Sequence, residues 1–148
     1  MSIETILLTV KRDDGDRLEY MVEEAIGLAT QTGASIVVAH AFETQSDVDD
    51  ALSALEGVDG TPSDVARRLG SVKRVTKAIE DAGVEYEVEG VVGDPGEAIA
   101  ALAERVDADR VFVGGRKRSP TGKAVFGSTA QQILLSAPCP VTFVREAE

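Results

Sequence analysis

The residues best suited to chemistry lie in one segment. From Arg110 to Arg145 there is no Asp or Glu, yet there are six bases: Arg110, Arg116, Lys117, Arg118, Lys123 and Arg145. That segment carries +6 and the remainder −17, for a formal net charge of −11. Four of the six bases fall within eight residues, Arg116 to Lys123. Gly114 and Gly115 stand just before them, and glycines directly after a strand let the backbone turn sharply and approach a ligand closely. Gly127-Ser128-Thr129 follows and opens a helix, whose free N–H groups and positive dipole end receive an anion. Ser128 or Thr129 can add a hydroxyl donor or cap that helix. Charge-assisted hydrogen bonds are worth about 1.5–3 kcal/mol each when partly buried. The donor set suits a phosphate group, although a solvated basic loop ahead of an ordinarily capped helix would read the same way.

The named nucleotide motifs do not match. A P-loop requires a glycine five residues before its Gly-Lys pair and a Ser or Thr after it. Here Gly122-Lys123 is followed by Ala124, and the earlier position holds Lys117. A dinucleotide fingerprint would follow the first strand, where Lys11 to Asp16 contains one glycine. Asp13 and Asp14 in that loop suggest a phosphoacceptor receiver domain. The hydroxyl and lysine that such a domain needs at the ends of strands four and five are instead Gly114 and the neighbourhood of Arg145.

The remaining titratable residues read as structural. His40 falls near the end of the second strand and is expected to be a satisfied strand-end histidine. Cys139 sits between two prolines with no base in reach, so packing is its expected role. Asp47, Asp49, Asp50, Glu56 and Asp59 read as a solvated loop, and Asp94-Pro95-Gly96 as turn chemistry. No general base is identifiable, so no dedicated enzyme is expected; slow ATP turnover would need only positioning and a water.

Composition narrows the setting. With 148 residues and 43% apolar side chains, the chain suits a single domain over 1–148. One cysteine and one histidine exclude an internal disulfide and a Cys/His zinc site. Apolar runs fall far short of the ~20 residues of a membrane span, and the opening MSIETILLTV has no basic n-region. The expectation is a cytoplasmic protein. Acids number 26 against 15 bases, only 5 of them lysine, a balance that disfavours general binding to nucleic acid or anionic membrane. It also fits a salt-loaded, halophilic cytosol, since at ~1 M salt the Debye length is only ~3 Å and self-repulsion is screened.

The elements that must position the segment alternate strand and helix. Thr5–Val10, Ser35–Ala41, Glu85–Val92, Arg110–Val113 and Val141–Val144 read as strands. Leu18, Met21, Val22, Ala25, Ile26 and Ala29 recur at helical spacing ahead of a Gly33 stop. Thr61-Pro62-Ser63-Asp64 opens a helix running to Gly83, Glu97–Val106 forms a short helix and Ser128–Ser136 the last. Glu43 to Gly60 reads as a surface loop with at most a helical turn near Val48 to Leu55. Crossovers of this length give parallel, right-handed pairing and an α/β, three-layer helix-sheet-helix sandwich. In such sheets ligands sit beyond the strands' carboxyl ends where strand order reverses, which would bring the loops after strands one and four together.

Gly114 to Arg145, GGRKRSPTGKAVFGSTAQQILLSAPCPVTFVR, resembles the C-terminal signature of the universal stress proteins. There a strand ends in glycine, a second glycine comes three residues on, and Gly-Ser or Gly-Thr follows after nine more. Gly114 takes the first place, Gly127-Ser128 the last, and Ala137-Pro138-Cys139-Pro140-Val141 leads into the final strand. The ILLTV opening, GDPGEAI (Gly93 to Ile99) and DADRVFVGG (Asp107 to Gly115) also fall where that family has them.

The resemblance implies a five-stranded parallel sheet ordered 3-2-1-4-5 and a homodimer paired through the last strand, Val141 to Arg145. One branch of the family binds ATP with its phosphates in the glycine loop, and another binds no nucleotide. Two departures bear on the choice: Lys117 replaces the middle glycine, and Lys11 replaces the acidic residue that follows strand one near ribose, phosphates and metal. A lysine there favours a bare anion and repels magnesium, unless Asp13 or Asp14 compensates. The expected ligand is ATP or another adenine nucleotide, with or without Mg, or another phosphate-bearing molecule. Its expected contacts are Val10, Lys11, Ala41, Gly114, Gly115, Arg116, Lys117, Arg118, Lys123, Gly127, Ser128 and Thr129, with Val38 to Phe42 on the adenine side. Asp13 is the one metal-ligand candidate. The alternative is a ligand-free interaction module whose basic loop meets an acidic protein partner.

Overall fold

The computed structural model describes residues 2–11, 16–54, 60–114 and 127–144, with the backbone alone at 16 and 17. Short apolar, β-branched segments form the strands, namely β1 (Thr5–Thr9), β2 (Ser35–Phe42), β3 (Tyr86–Val92), β4 (Arg110–Gly114) and β5 (Val141–Val144). Between them run α1 (Asp16–Thr32), α2 (Gln45–Ala54), α3 (Pro62–Ala66), α4 (Gly70–Asp81), α5 (Pro95–Arg105) and α6 (Ser128–Ser136). Every strand pair is parallel, in the order β3-β2-β1-β4-β5. The α/β sandwich expected from the sequence and the strand order implied by the family resemblance are the ones observed.

The pleat sends alternate residues to two cores. Ile6, Leu8, Ile36 and Val38 pack with Leu18, Met21, Val72, Val75 and Ile79 of α1 and α4. Leu7, Val37, Val111 and Val113 pack with Ile99, Leu102, Ala130 and Ile133 of α5 and α6. Central β1 is buried on both faces, which is why TILLT is an unbroken apolar run rather than an alternating one. Gly33 and Gly83, at φ +77° and +73°, end α1 and α4 in the left-handed conformation that glycine tolerates best.

Three elements differ from the sequence pattern. Where a surface loop is expected, α2 forms a ten-residue helix anchored by buried Val48. Its start is tied by Thr44 N–H to Asp47 Oδ2 and Asp47 N–H to Thr44 Oγ1, both 3.2 Å. Ala51 and Leu52 pack on the core beside it at helical spacing, a short apolar face set among acids that read as solvated loop. The helix expected from Thr61 to Gly83 is broken into α3 and α4, with Leu69 extended at φ −68°, ψ 138°. The break lets α3 lie across β3 while α4 packs on the sheet. Asp94 is a helix cap rather than a turn residue: it accepts from Glu97 N–H at 3.2 Å, with Pro95 in the first turn. Gly96 lies close against α6, where a Cβ would sit 2.4 Å from Gln132 Cβ.

Candidate functional site

Strand order reverses between β1 and β4: the chain leaves β1 toward β2 on one side and β4 toward β5 on the other. Registered pairing of these neighbours ends at Leu8 with Phe112, although β4 continues to Gly114. Beyond that last rung lie Val10 and Lys11 on one side and Gly114 on the other. Parallel β4 and β5 also require the intervening α6 to begin at this end of the sheet. The fold therefore gathers Val10, Lys11, Gly114, Gly127, Ser128 and Thr129 at the carboxyl edge, with His40 and Ala41 of β2 beside them.

The start of α6 has Gly127 as its N-cap, extended at φ −71°, ψ 165°, with no side-chain cap. Ser128 is thus the first helical residue and does not cap the helix. The first intrahelical bond here is Gln131 N–H to the Gly127 carbonyl at 3.1 Å, so the preceding N–H groups have no partner within the helix. Ser128 is exposed, Thr129 and Gly127 are half-buried, and Gly114 is buried. Helix dipole, N–H groups and two hydroxyls together make a suitable seat for an anion.

At the β1 end, Val10 is buried and both its backbone groups are engaged. Its N–H donates to the Ala39 carbonyl at 2.8 Å, and its carbonyl lies 3.0 Å from His40 Nδ1. A carbonyl only accepts, so Nδ1 carries the proton. The His40 ring meets Phe42 edge-on, 4.7 Å between centroids at 71°. His40 is accordingly the satisfied strand-end residue expected. Nothing in the run TILLTV marks Thr9, yet it is a buried polar residue whose Oγ1 donates to the Phe112 carbonyl at 2.8 Å.

Gly115, Arg116, Lys117, Arg118, Lys123, Asp13 and Asp14 lie outside the described residues. Among the described residues no group of three or more His, Cys, Asp or Glu side chains could hold a metal ion. Cys139 is half-buried, and burial, then the Asp109 charge, push its thiol up against a smaller opposing effect of Arg110. A thiol so held is protonated at neutral pH and a poor nucleophile. Open clefts lie elsewhere among the described residues. One of about 520 Å³ runs along β3 past Arg67, Tyr86, Glu87 and Glu89, and one of about 660 Å³ lies at the amino ends by Ser35, Glu85 and Glu87. Both carry carboxylates and suit an anion poorly.

An open parallel sheet whose strand order reverses between β1 and β4 defines a doubly wound α/β protein. The chain belongs to the universal stress protein family, whose sequence profile matches residues 3–145. It is 33% identical over 143 residues to a universal stress protein of Thermus aquaticus, covering 95% of this chain and 98% of that one. A universal stress protein structure from Archaeoglobus fulgidus superposes with TM-score 0.74 at 28% identity, covering 95% of this chain and 98% of the other. A second structure from that organism, in complex with dAMP, shares the fold at TM-score 0.69 and 22% identity, covering 97% and 99%.

Proposed function

We propose that this protein binds an adenine nucleotide or another phosphate-bearing ligand at the carboxyl ends of β1 and β4, as a regulatory homodimer without a dedicated catalytic activity. The observation that carries the proposal is the start of α6, a helix without a side-chain cap that lies within the acid-free segment of an acidic chain, after its basic stretch Arg116 to Lys123. In this reading the phosphate is held by the N–H groups of Gly115 and Ser128, the hydroxyls of Ser128 and Thr129, and the charges of Arg116, Lys117, Arg118 and Lys123. Half-buried His40 and Ala41 lie on the adenine side, between buried Val38 and Phe42. The family neighbour solved with dAMP supports a ligand carrying adenine and a single phosphate. Lys11, where the ATP-binding branch has an acid, favours the anion without its metal. Binding of magnesium–ATP requires Asp13 or Asp14 to compensate.

The homodimer is proposed through β5, a four-residue edge strand whose Val141, Thr142 and Phe143 are only half-buried, with Arg145 just beyond it in sequence. No described helix is long and apolar enough to cross a membrane, and a cytoplasmic location suits the acidic composition.

The test is thermal unfolding in high potassium chloride with ATP, ADP, AMP or inorganic phosphate, each with and without magnesium. Ligand at ~100 times its Kd stabilises by ~2.7 kcal/mol, which at this chain length raises the midpoint by about 5–10 °C. Ser128→Ala and Gly127→Leu should each reduce that shift, and unchanged affinity in both overturns the site. A different reading is favoured by Lys11 and Lys117 themselves: an interaction module with no nucleotide. It expects no ligand to move the midpoint, while charge reversal at Arg116 and Arg118 changes which proteins are retained.

A further inference from the structure

We infer that Thr9 and His40 are the positioning residues of the carboxyl-end crevice: their side chains hold the last turn-off of β1 where strand pairing no longer does. The inference rests on the ligand reading above only in that the crevice takes a phosphate-bearing ligand.

Registered pairing to β2 ends at Thr9 with Ala39, and pairing to β4 ends one residue earlier at Leu8 with Phe112. Both neighbours run on, β2 to Phe42 and β4 to Gly114. The end of β1 is therefore flanked by two strands that run on past its last rungs, and a strand end left without ties would be free to shift. Three hydrogen bonds prevent this. Thr9 Oγ1 donates to the Phe112 carbonyl at 2.8 Å, Val10 N–H donates to the Ala39 carbonyl at 2.8 Å, and His40 Nδ1–H donates to the Val10 carbonyl at 3.0 Å. Two of the three come from side chains, one tying β1 to β4 and the other tying it to β2. Thr9 is 4% exposed, so its bond is shielded from water and from exchange with it. The His40 ring is held against buried Phe42, which fixes the direction of its bond. Lys11 follows directly, so the departure of the loop after β1 is set by these two side chains together with the Val10–Ala39 backbone bond.

Paired variants separate the bond from the bulk. Thr9→Val keeps the shape and loses the hydroxyl, whereas Thr9→Ser keeps the hydroxyl. His40→Phe keeps a ring and loses the donor, whereas His40→Asn places an amide nitrogen near the Nδ1 position. Calorimetric titration with AMP and with inorganic phosphate should show about tenfold weaker binding for Thr9→Val and His40→Phe. Thr9→Ser and His40→Asn should stay within about threefold of wild type. Amide hydrogen exchange without ligand should be faster at Val10, Lys11, Val113 and Gly114 in the first pair of variants and near wild type in the second. Wild-type exchange in Thr9→Val and His40→Phe overturns the inference, as does an equal loss in all four variants. Should wild type bind neither AMP nor phosphate, the ligand reading fails, and the exchange rates alone still decide whether these side chains hold the strand end.

Discussion

At the scale of the residue, the closest fit in the described structure is at Gly90 of β3. A Cβ there would lie 2.2 Å from the Pro62 carbonyl oxygen, 2.4 Å from its carbon and 2.8 Å from Ser63 N, all backbone atoms of α3. Its amide donates to Ser63 Oγ at 2.9 Å, so the missing side chain and the hydrogen bond together dock α3 onto β3. Backbone cannot swing aside as a flexible side chain can. Gly90→Ala should therefore cost about 1–3 kcal/mol, read as a lower urea midpoint. Gly27→Ala, on α1 with nothing within 4 Å, should instead stabilise by about 0.5–1 kcal/mol. Equal stability of Gly90→Ala and wild type would mean that α3 is not seated as described. Neither Gly90 nor Thr9 stands out in the sequence, because each owes its role to a partner far along the chain, Ser63 for one and Phe112 for the other. Gly114, Gly127 and Ser128 were legible because charge and glycine spacing are local signals, and topology then places them at one sheet edge.

At the scale of the element, α3 is held at its start by a reciprocal cap. Asp64 N–H donates to Thr61 Oγ1 at 3.2 Å, and Thr61 N–H donates back to Asp64 Oδ2 at 3.0 Å. The Thr61 backbone and hydroxyl bonds, with a further contribution from Arg67 Nη1 at 2.7 Å, hold the Asp64 carboxyl below its ordinary value. A depressed folded value means that the stabilisation is present above the unfolded value near ~3.9 and is lost as pH falls through the folded one. Acidification below that value should thus loosen α3, seen as a loss of protection of the Thr61 and Asp64 amides relative to their intrinsic exchange at each pH. Asp64→Asn, which keeps an acceptor but cannot titrate, should flatten that dependence. Superimposable profiles for the two proteins would remove Asp64 as the cause. The strands and the amphipathic helices α1, α4, α5 and α6 were legible from periodicity, since each buries a repeating face. The helix α2 was not, because its short apolar face of Val48, Ala51 and Leu52 is set among acids, nor was the break between α3 and α4, which tertiary docking rather than a repeating pattern sets.

At the scale of the whole molecule, charge and strand edge together would govern the proposed self-association. A net charge of −11 opposes the approach of two copies, weakly at ~1 M salt where the Debye length is ~3 Å and strongly in dilute buffer. The β5 edge escapes that repulsion, because it lies within the stretch from Arg110 to Arg145 that has no acid at all. Nearby on α6, Leu135 is 86% exposed and Leu134 42%, an apolar surface beside an edge strand that a second copy would cover. Val111 N–H donates to the Pro140 carbonyl at 3.1 Å, so by strand alternation Thr142 faces β4, while the backbone groups of Val141 and Phe143 point outward. Val141→Pro removes an outward donor at the first strand residue and leaves pairing with β4 intact. Wild type should run as a dimer by light scattering in both low and high salt, and Val141→Pro as a monomer. A dimer that survives Val141→Pro but separates with Leu135→Glu would place the contact on α6 rather than on the strand. A wild type that stays monomeric at every salt and protein concentration would end the proposal, and any ligand response would then belong to the single chain.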